Sequence, residues 1–198
     1  HHAPCTLHIT LDSFGDDSTL VWNILVLNDY TIVTGDSVGH VQFWDGRRGS
    51  GELLQTFNEH TADVTALATN AAEDAVFACG VDNKLIRIEK DAASKWYYCS
   101  NKRPHSHDVN ALAVGRVMKG SSEIVISGGV DAILCWCRSD SFADGRPRKV
   151  YPYPSLGEPV VSISPIQRVA MVQHDDRLDF WRIPRKAQDI VTVPKMVL

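Results

Sequence analysis

The sequence predicts an all-β protein assembled from a repeated unit of four short strands. Three observations carry that prediction. Four similar stretches, TIVTGDSVGHVQFWD (31–45), AVFACGVDNKLIRIE (75–89), EIVISGGVDAILCWC (123–137) and RVAMVQHDDRLDFWR (168–182), recur roughly 45 residues apart, a period that marks repeat architectures. Each is a β-branched or aromatic run, a tight turn rich in Gly, Asp or Asn, and a second such run. Nowhere does an apolar pattern hold a helical period long enough for a helix.

The strands follow in the same order in every unit. In the first they are Trp22–Leu27, Thr31–Gly35, Val41–Trp44 and Leu53–Phe57. In the second they are Asp63–Thr69, Ala75–Gly80, Leu85–Ile88 and Trp96–Cys99, separated by the turn Asp82-Asn83-Lys84 and the polar stretch EKDAASK. The third has Val109–Val114, Ile124–Ser127, Ile133–Cys137 and Arg148–Tyr151. Pro147, Pro152, Pro154 and Pro159 surround its last strand, which suits an edge because proline removes a ladder donor. The fourth has Val160–Ser164, Val169–Val172, Leu178–Ile183 and a last strand over Ile190–Val193. Thr6–Leu11 (TLHITL) is expected to be the outer strand of a preceding unit. The organisation is therefore 1–12 as that outer strand, then units at 13–57, 58–100, 101–153 and 154–198. The ending IPRKAQDIVTVPKMVL starts a linker.

Composition narrows the function classes. Apolar residues make up 44 % of the 198 and charged ones 22 %, enough for one sizeable core in a globular protein. No apolar run approaches the length of a membrane-spanning helix, and HHAPCTLHITLD lacks the basic and apolar regions of a signal peptide. A net charge of −4 excludes a surface that is basic all over, although local basic patches remain compatible with it. The five cysteines mostly lie in strand-like runs (Cys79, Cys99, Cys135, Cys137), as expected of reduced core thiols in an intracellular protein.

These units resemble the blades of WD-repeat β-propellers, and the resemblance covers nearly the whole chain. It implies about four blades of a larger, seven-bladed ring. In that family a loop His, a turn Asp, a Ser or Thr on the second strand and a Trp on the third form a hydrogen-bonded tetrad. The first unit matches it with Thr34 and Trp44, the second with His60 and Asp82, with Cys79 and Ile88 in place of Ser and Trp. The third matches with His105, Ser127 and Asp131, with Cys137 in the Trp position, and the fourth with Asp175 and Trp181. No unit carries the whole set. Four blades alone leave strand edges and apolar faces open, so the isolated segment is expected to be insoluble or to oligomerise.

At a finer level VWNILVLNDYTIVTGDSVGHVQFWD, GELLQTFNEHTADVTALAT, VFACGVDNKLIRIE, KWYYCSNKRPHSHDVNALAV, VISGGVD and RLDFWRI resemble, in order and spacing, the later blades of the first propeller in the cirhin family. Membership implies a nucleolar, non-catalytic scaffold of small-subunit ribosome biogenesis and pre-rRNA processing. The implied partners are other subunits of the UtpA subcomplex, further small-subunit processome proteins and the 5′ external spacer of pre-ribosomal RNA. The competing reading is a WD-repeat adaptor of another complex, a ubiquitin-ligase substrate receptor or a histone-peptide reader.

Candidate contact residues are cations in loops. Arg146, Arg148 and Lys149 follow the third strand of the third unit, Arg182, Arg185 and Lys186 that of the fourth, and Arg47 and Arg48 that of the first. Sharing one rim, they would attract phosphates without reading sequence. The competing reading is that they are solvated, and Asp140, Asp144 and Asp189 dilute their field. Lys102 and Arg103 are expected on the opposite rim, facing a protein partner.

Enzyme motifs fail on context. GDSVG (35–39) has the G-x-S-x-G form of a nucleophile elbow, but a strand rather than a helix follows it, and the neighbouring units carry no Ser at the position of Ser37. His60 with Asp82 and His105 with Asp131 could be acid–base dyads, yet buried polar groups need partners and structural pairing explains them better. PHSHD (104–108) has no second cluster with ligand spacing, and Cys135 with Cys137 reads as core. GRVMKGSS (115–122) lacks the Lys and the helix of a phosphate-binding loop. No catalytic residue, metal or cofactor is expected.

Overall fold

A computed structural model describes residues 19–47, 51–116, 123–150, 160–164, 169–173, 178–182 and 195–197. The first sheet contains β1 (Val21–Val26), β2 (Thr31–Asp36), β3 (Val41–Asp45) and β4 (Glu52–Phe57). The second contains β5 (Val64–Thr69), β6 (Ala75–Gly80), β7 (Leu85–Lys90) and β8 (Trp96–Lys102). The third contains β9 (Val109–Arg116), β10 (Glu123–Gly129), β11 (Leu134–Arg138) and β12 (Arg148–Val150). The fourth contains β13 (Val160–Ser164), β14 (Val169–Gln173), β15 (Leu178–Arg182) and β16 (Lys195–Val197). Every sheet is an antiparallel meander whose order in space is its order in the chain.

The sheets pack face to face, and their first strands lie side by side, β1 on β5, β5 on β9 and β9 on β13. Strand periodicity explains how one sheet serves two neighbours, because successive side chains leave opposite faces. On β6, Val76 and Ala78 join Val33, Val41 and Phe43 of the first sheet in one core. Ala75, Phe77 and Cys79 point the other way, to Val109 and Val125 of the third. On β10, Val125 faces the second sheet while Ile124 and Ile126 meet Val161, Ala170 and Val172 of the fourth. A strand sandwiched in this way is buried throughout, which is why AVFACG reads as a continuous apolar run rather than an alternating one.

β1 is more exposed than β5 and β9, the inner strands of the next two sheets. Ile24, opposite Thr34, occupies the place that Leu67 occupies opposite Ala78 in the second sheet. Leu67 is 8 % exposed and Ile24 61 %. Trp22 and Val26 are exposed on the same strand.

One expectation changes. The outer strand described in the fourth sheet is Lys195–Val197, paired with Asp179–Trp181, while Ile190–Val193 lies outside the described residues. KMV carries a single β-branched residue, so pairing with β15 rather than propensity makes it a strand. Part of the stretch read as a linker thereby completes a sheet. Thr6–Leu11 lies outside the described residues.

Candidate functional site

Each tetrad residue sits where one element is forced close to another. In the third sheet His105 lies in the loop before β9 and is buried between the β10–β11 turn and β10 itself. Its Nδ1 is 2.9 Å from Asp131 Oδ1 and its Nε2 2.9 Å from Ser127 Oγ. Asp131 also accepts from the backbone N–H groups of Ser106 (3.0 Å) and Ile133 (3.2 Å). Gly129 makes room for this, since a Cβ there would stand 2.6 Å from Asp108 O and 3.0 Å from His105 Nδ1. With both ring nitrogens engaged, His105 has no lone pair directed outward for a substrate or a metal.

The second sheet repeats the geometry with one member missing. His60 Nδ1 is 2.9 Å from Asp82 Oδ1, and Asp82 accepts from the N–H groups of Thr61 (3.0 Å) and Lys84 (3.2 Å). His60 Nε2 is buried and has no hydrogen-bond partner among the described residues. The cause corrects the sequence alignment. Ala78, opposite Leu67 and Ile86, holds the place that Ser127 holds opposite Leu112 and Cys135. Cys79, expected there, faces the third sheet instead and donates its thiol to Val109 O at 3.3 Å. Ala78→Ser should supply the missing acceptor and stabilise the protein by about 1 kcal/mol, read as a higher denaturant midpoint.

The first sheet keeps the other half of the set, Trp44 Nε1 donating to Thr34 Oγ1 at 3.0 Å. There the sequence held an unnoticed substitute: Asp36 accepts from the N–H groups of Val38 and His40 at 2.9 Å and lies 3.1 Å from His40 Nδ1. The D-x-x-x-H spacing was the available signal. Ser37, inside the same turn, accepts from the N–H of Leu20 at 3.0 Å and leads into β3, not a helix. Of the fourth set, Trp181 lies on β15 and Asp175 is outside the described residues.

Electrostatics follow from this burial. Burial alone would raise the Asp82 carboxyl, but His60 and the Thr61 N–H hold it well below the usual carboxylate range. Asp131 is lowered by the same balance with His105 and the Ser106 N–H. Burial pushes His105 below its ordinary value, outweighing the nearby Asp131. Burial also pushes the thiols of Cys79, Cys135 and Cys137 up to about 12, so they stay protonated at neutral pH and are poor nucleophiles or ligands. The sign of the pH dependence is fixed. From about pH 7 downward the unfolded chain protonates His105 before the folded one, and below about pH 4 the same holds for Asp82 and Asp131. Stability should therefore fall on acidification, and the upper step should disappear in His105→Gln. Denaturant midpoints across that pH range check both.

The cations distribute less simply than expected. Arg146, Arg148 and Lys149 are exposed, on the β11–β12 connection and on β12. Arg47 forks onto Asp45 through Nε (3.0 Å) and Nη2 (2.9 Å). Arg48, Arg185 and Lys186 lie outside the described residues, and Arg182 is placed only as the end of β15. Lys102 is not segregated on the opposite rim. Its ammonium donates to Ala143 O at 3.1 Å, because the β11–β12 connection folds back along the second sheet and buries Phe142 against Phe77. Arg103 donates to Asp82 O at 2.7 Å and to Asn83 Oδ1, which ties it to the β6–β7 turn.

Four-stranded meanders packed through their first strands match solved propellers. A chain in the crystal structure of the mitotic checkpoint complex superposes with a TM-score of 0.71 at 18 % identity, over 89 % of this chain and 52 % of that one. The WD40 repeats of RRP9 superpose at 0.68 and 13 % identity, over 91 % and 53 %. The fold is a WD-repeat β-propeller, in part. No protein-family model matches the propeller segment. In sequence it is 34 % identical over 168 residues to U3 small nucleolar RNA-associated protein 4 of Schizosaccharomyces pombe, covering 84 % of this chain. It is 31 % identical over 180 residues to the protein of that name in Saccharomyces cerevisiae, and 28 % over 178 residues to the human homolog. The propeller segment spans 22–24 % of the length of these relatives.

Proposed function

We propose that this segment belongs to a protein of the U3 small nucleolar RNA-associated protein 4 (cirhin) type. It acts there as a non-catalytic assembly platform in nucleolar small-subunit ribosome biogenesis and pre-rRNA processing. One observation carries the reading: identity of 34 % sustained over 84 % of the chain, well above the 13–18 % shared with propellers that match in fold alone. The ring is seven-bladed, and the partners are UtpA subunits, other processome proteins and the 5′ external spacer of pre-ribosomal RNA. Arg146 on the β11–β12 connection, with Arg148 and Lys149 at the start of β12, all exposed, are the residues of this segment that meet phosphates.

The test is affinity purification of the tagged full-length protein at moderate salt, with bound proteins and crosslinked RNA identified together. Small-subunit processome proteins with spacer RNA are expected. Recovery of a ubiquitin ligase or a chromatin complex without ribosomal RNA overturns the function and leaves the propeller standing. Reversing the charge of Arg146, Arg148 and Lys149 should reduce crosslinking within this segment, and unchanged crosslinking removes the phosphate assignment.

A further inference from the structure

Away from the inner strands, the first two sheets leave a cleft between their outer strands. Its volume is about 400 Å³, and residues of β4, the start of β8 and the turns beside them line it. One amide ties the two outer strands together here. Gln55 on β4 accepts from the Trp96 N–H at 2.9 Å and donates to Trp96 O at 2.8 Å. Leu54 reaches the cleft because β4 is bulged: Phe43 pairs with Gln55 and Trp44 with Leu53, so Leu54 is the extra residue. It is 43 % exposed, and Leu53 beside it 46 %.

Three cations meet at this cleft from separate elements, Arg47 from the β3–β4 connection, Lys90 from the end of β7 and Lys95 from the β7–β8 turn. Asp29 is the one carboxylate in the described lining, and Lys90 takes it, Nζ standing 2.5 Å from Oδ2. Lys90 also lies 5.2 Å from the centre of the Trp96 ring and so belongs to the joint itself. The other two cations are less committed. Arg47 uses two of its three nitrogens on Asp45, and its side chain is 62 % exposed. Lys95 is exposed and forms no ion pair among the described residues, while Asp91 of the same turn is engaged by the N–H groups of Ala93 and Lys95.

Charge and apolar surface together select the ligand. A nucleic acid would use the cations alone, since Trp96, the one aromatic residue in the described lining, is 3 % exposed and offers no ring for stacking. A segment that mixes carboxylates with aliphatic side chains uses both features. It gains charge-assisted hydrogen bonds from the cations and buries apolar area on the bulge. We propose that this cleft docks an acidic, aliphatic segment of a protein partner, its carboxylates reaching Arg47 and Lys95 and an aliphatic side chain covering Leu54. The assignment does not depend on the ribosome-assembly reading. It places protein recognition on the outer strands of the first two sheets, apart from the exposed cations of the β11–β12 connection and β12.

The test uses the full-length protein and a fluorescein-labelled peptide of alternating glutamate and leucine, followed by fluorescence anisotropy. Saturable binding is expected, weakened roughly tenfold in Arg47→Gln/Lys95→Gln and absent when lysines replace the glutamates of the peptide. Lys95→Gln alone, at a side chain without an ion pair, should weaken binding several-fold without moving the melting temperature, and so should Leu54→Ser. No saturable binding by the unmodified protein overturns the proposal. So does unchanged affinity in both Lys95→Gln and Leu54→Ser. A uridine oligonucleotide that displaces the peptide, and whose own affinity falls in Lys95→Gln but not in Leu54→Ser, assigns the cleft to RNA and overturns it too.

Discussion

Phe77→Ala is expected to cost the full-length protein about 3–5 kcal/mol, a large share of the stability of a typical domain. Phe77 is fully buried at the joint between the second and third sheets, among Ala66, Ala75, Val109 and Val125. Its ring also anchors a segment distant in sequence: Phe142 packs against it edge to face with centroids 5.4 Å apart. The Arg87 guanidinium stands 5.7 Å above it and donates to Ser139 O on the same connection. Truncation therefore opens a cavity and loosens the strap that the β11–β12 connection lays across the joint. Phe142→Ala should cost less, because the fold-back is an addition to the sheets and not part of their ladders. The two changes should be coupled by about 0.5–1.5 kcal/mol in a double-mutant cycle from urea denaturation. Strict additivity would contradict the packing described.

The second large effect is expected at the turn carboxylates. Asp82→Ala should destabilise by about 3 kcal/mol and Asp131→Ala by about 1–3 kcal/mol. Each carboxylate gathers a buried imidazole and two backbone N–H groups, and alanine leaves all three without an acceptor. The difference between them comes from strand two. Without Asp131, His105 keeps Ser127; without Asp82, His60 has no partner left, and Lys84, 3.2 Å from the same carboxylate, loses its counter-charge. Ala78→Ser should therefore narrow the gap between the two variants. Thermal melts of both single variants and of Ala78→Ser/Asp82→Ala decide this. Equal costs in all three would show that the missing Ser contact does not matter.

The four-beat order of strands was readable in the sequence because each beat is a local event. A β-branched or aromatic run flanked by Gly, Asp or Asn becomes a strand whatever surrounds it, and all four sheets follow that order. The His60–Asp82 and His105–Asp131 pairs were readable for a related reason: the loop and the turn that meet belong to one unit, so a fixed spacing encodes the contact. The loop and turn of one unit also set the direction of the carboxylate shifts, since the imidazole and a backbone N–H of the same loop outweigh burial at Asp82 and Asp131.

Tertiary structure decided the contacts that cross between units or depend on register. Cys79 and Ala78 are adjacent in sequence, yet a one-residue step on a strand exchanges the face toward the first sheet for the face toward the third. Only the ladder with β5 and β7 shows that Ala78 holds the place that Ser127 holds in the third sheet. Likewise nothing in the composition of SDSFADGRP distinguishes a solvated loop from a strap, and Phe142 becomes a core residue because Phe77 offers it a buried face. That Lys195–Val197 is a strand rests on pairing with β15, which propensity does not encode. Local chemistry thus determined the strands, the turns and the paired histidines of this propeller segment. Its faces and its straps were decided by packing between sheets, which brings together residues that no short stretch of sequence contains.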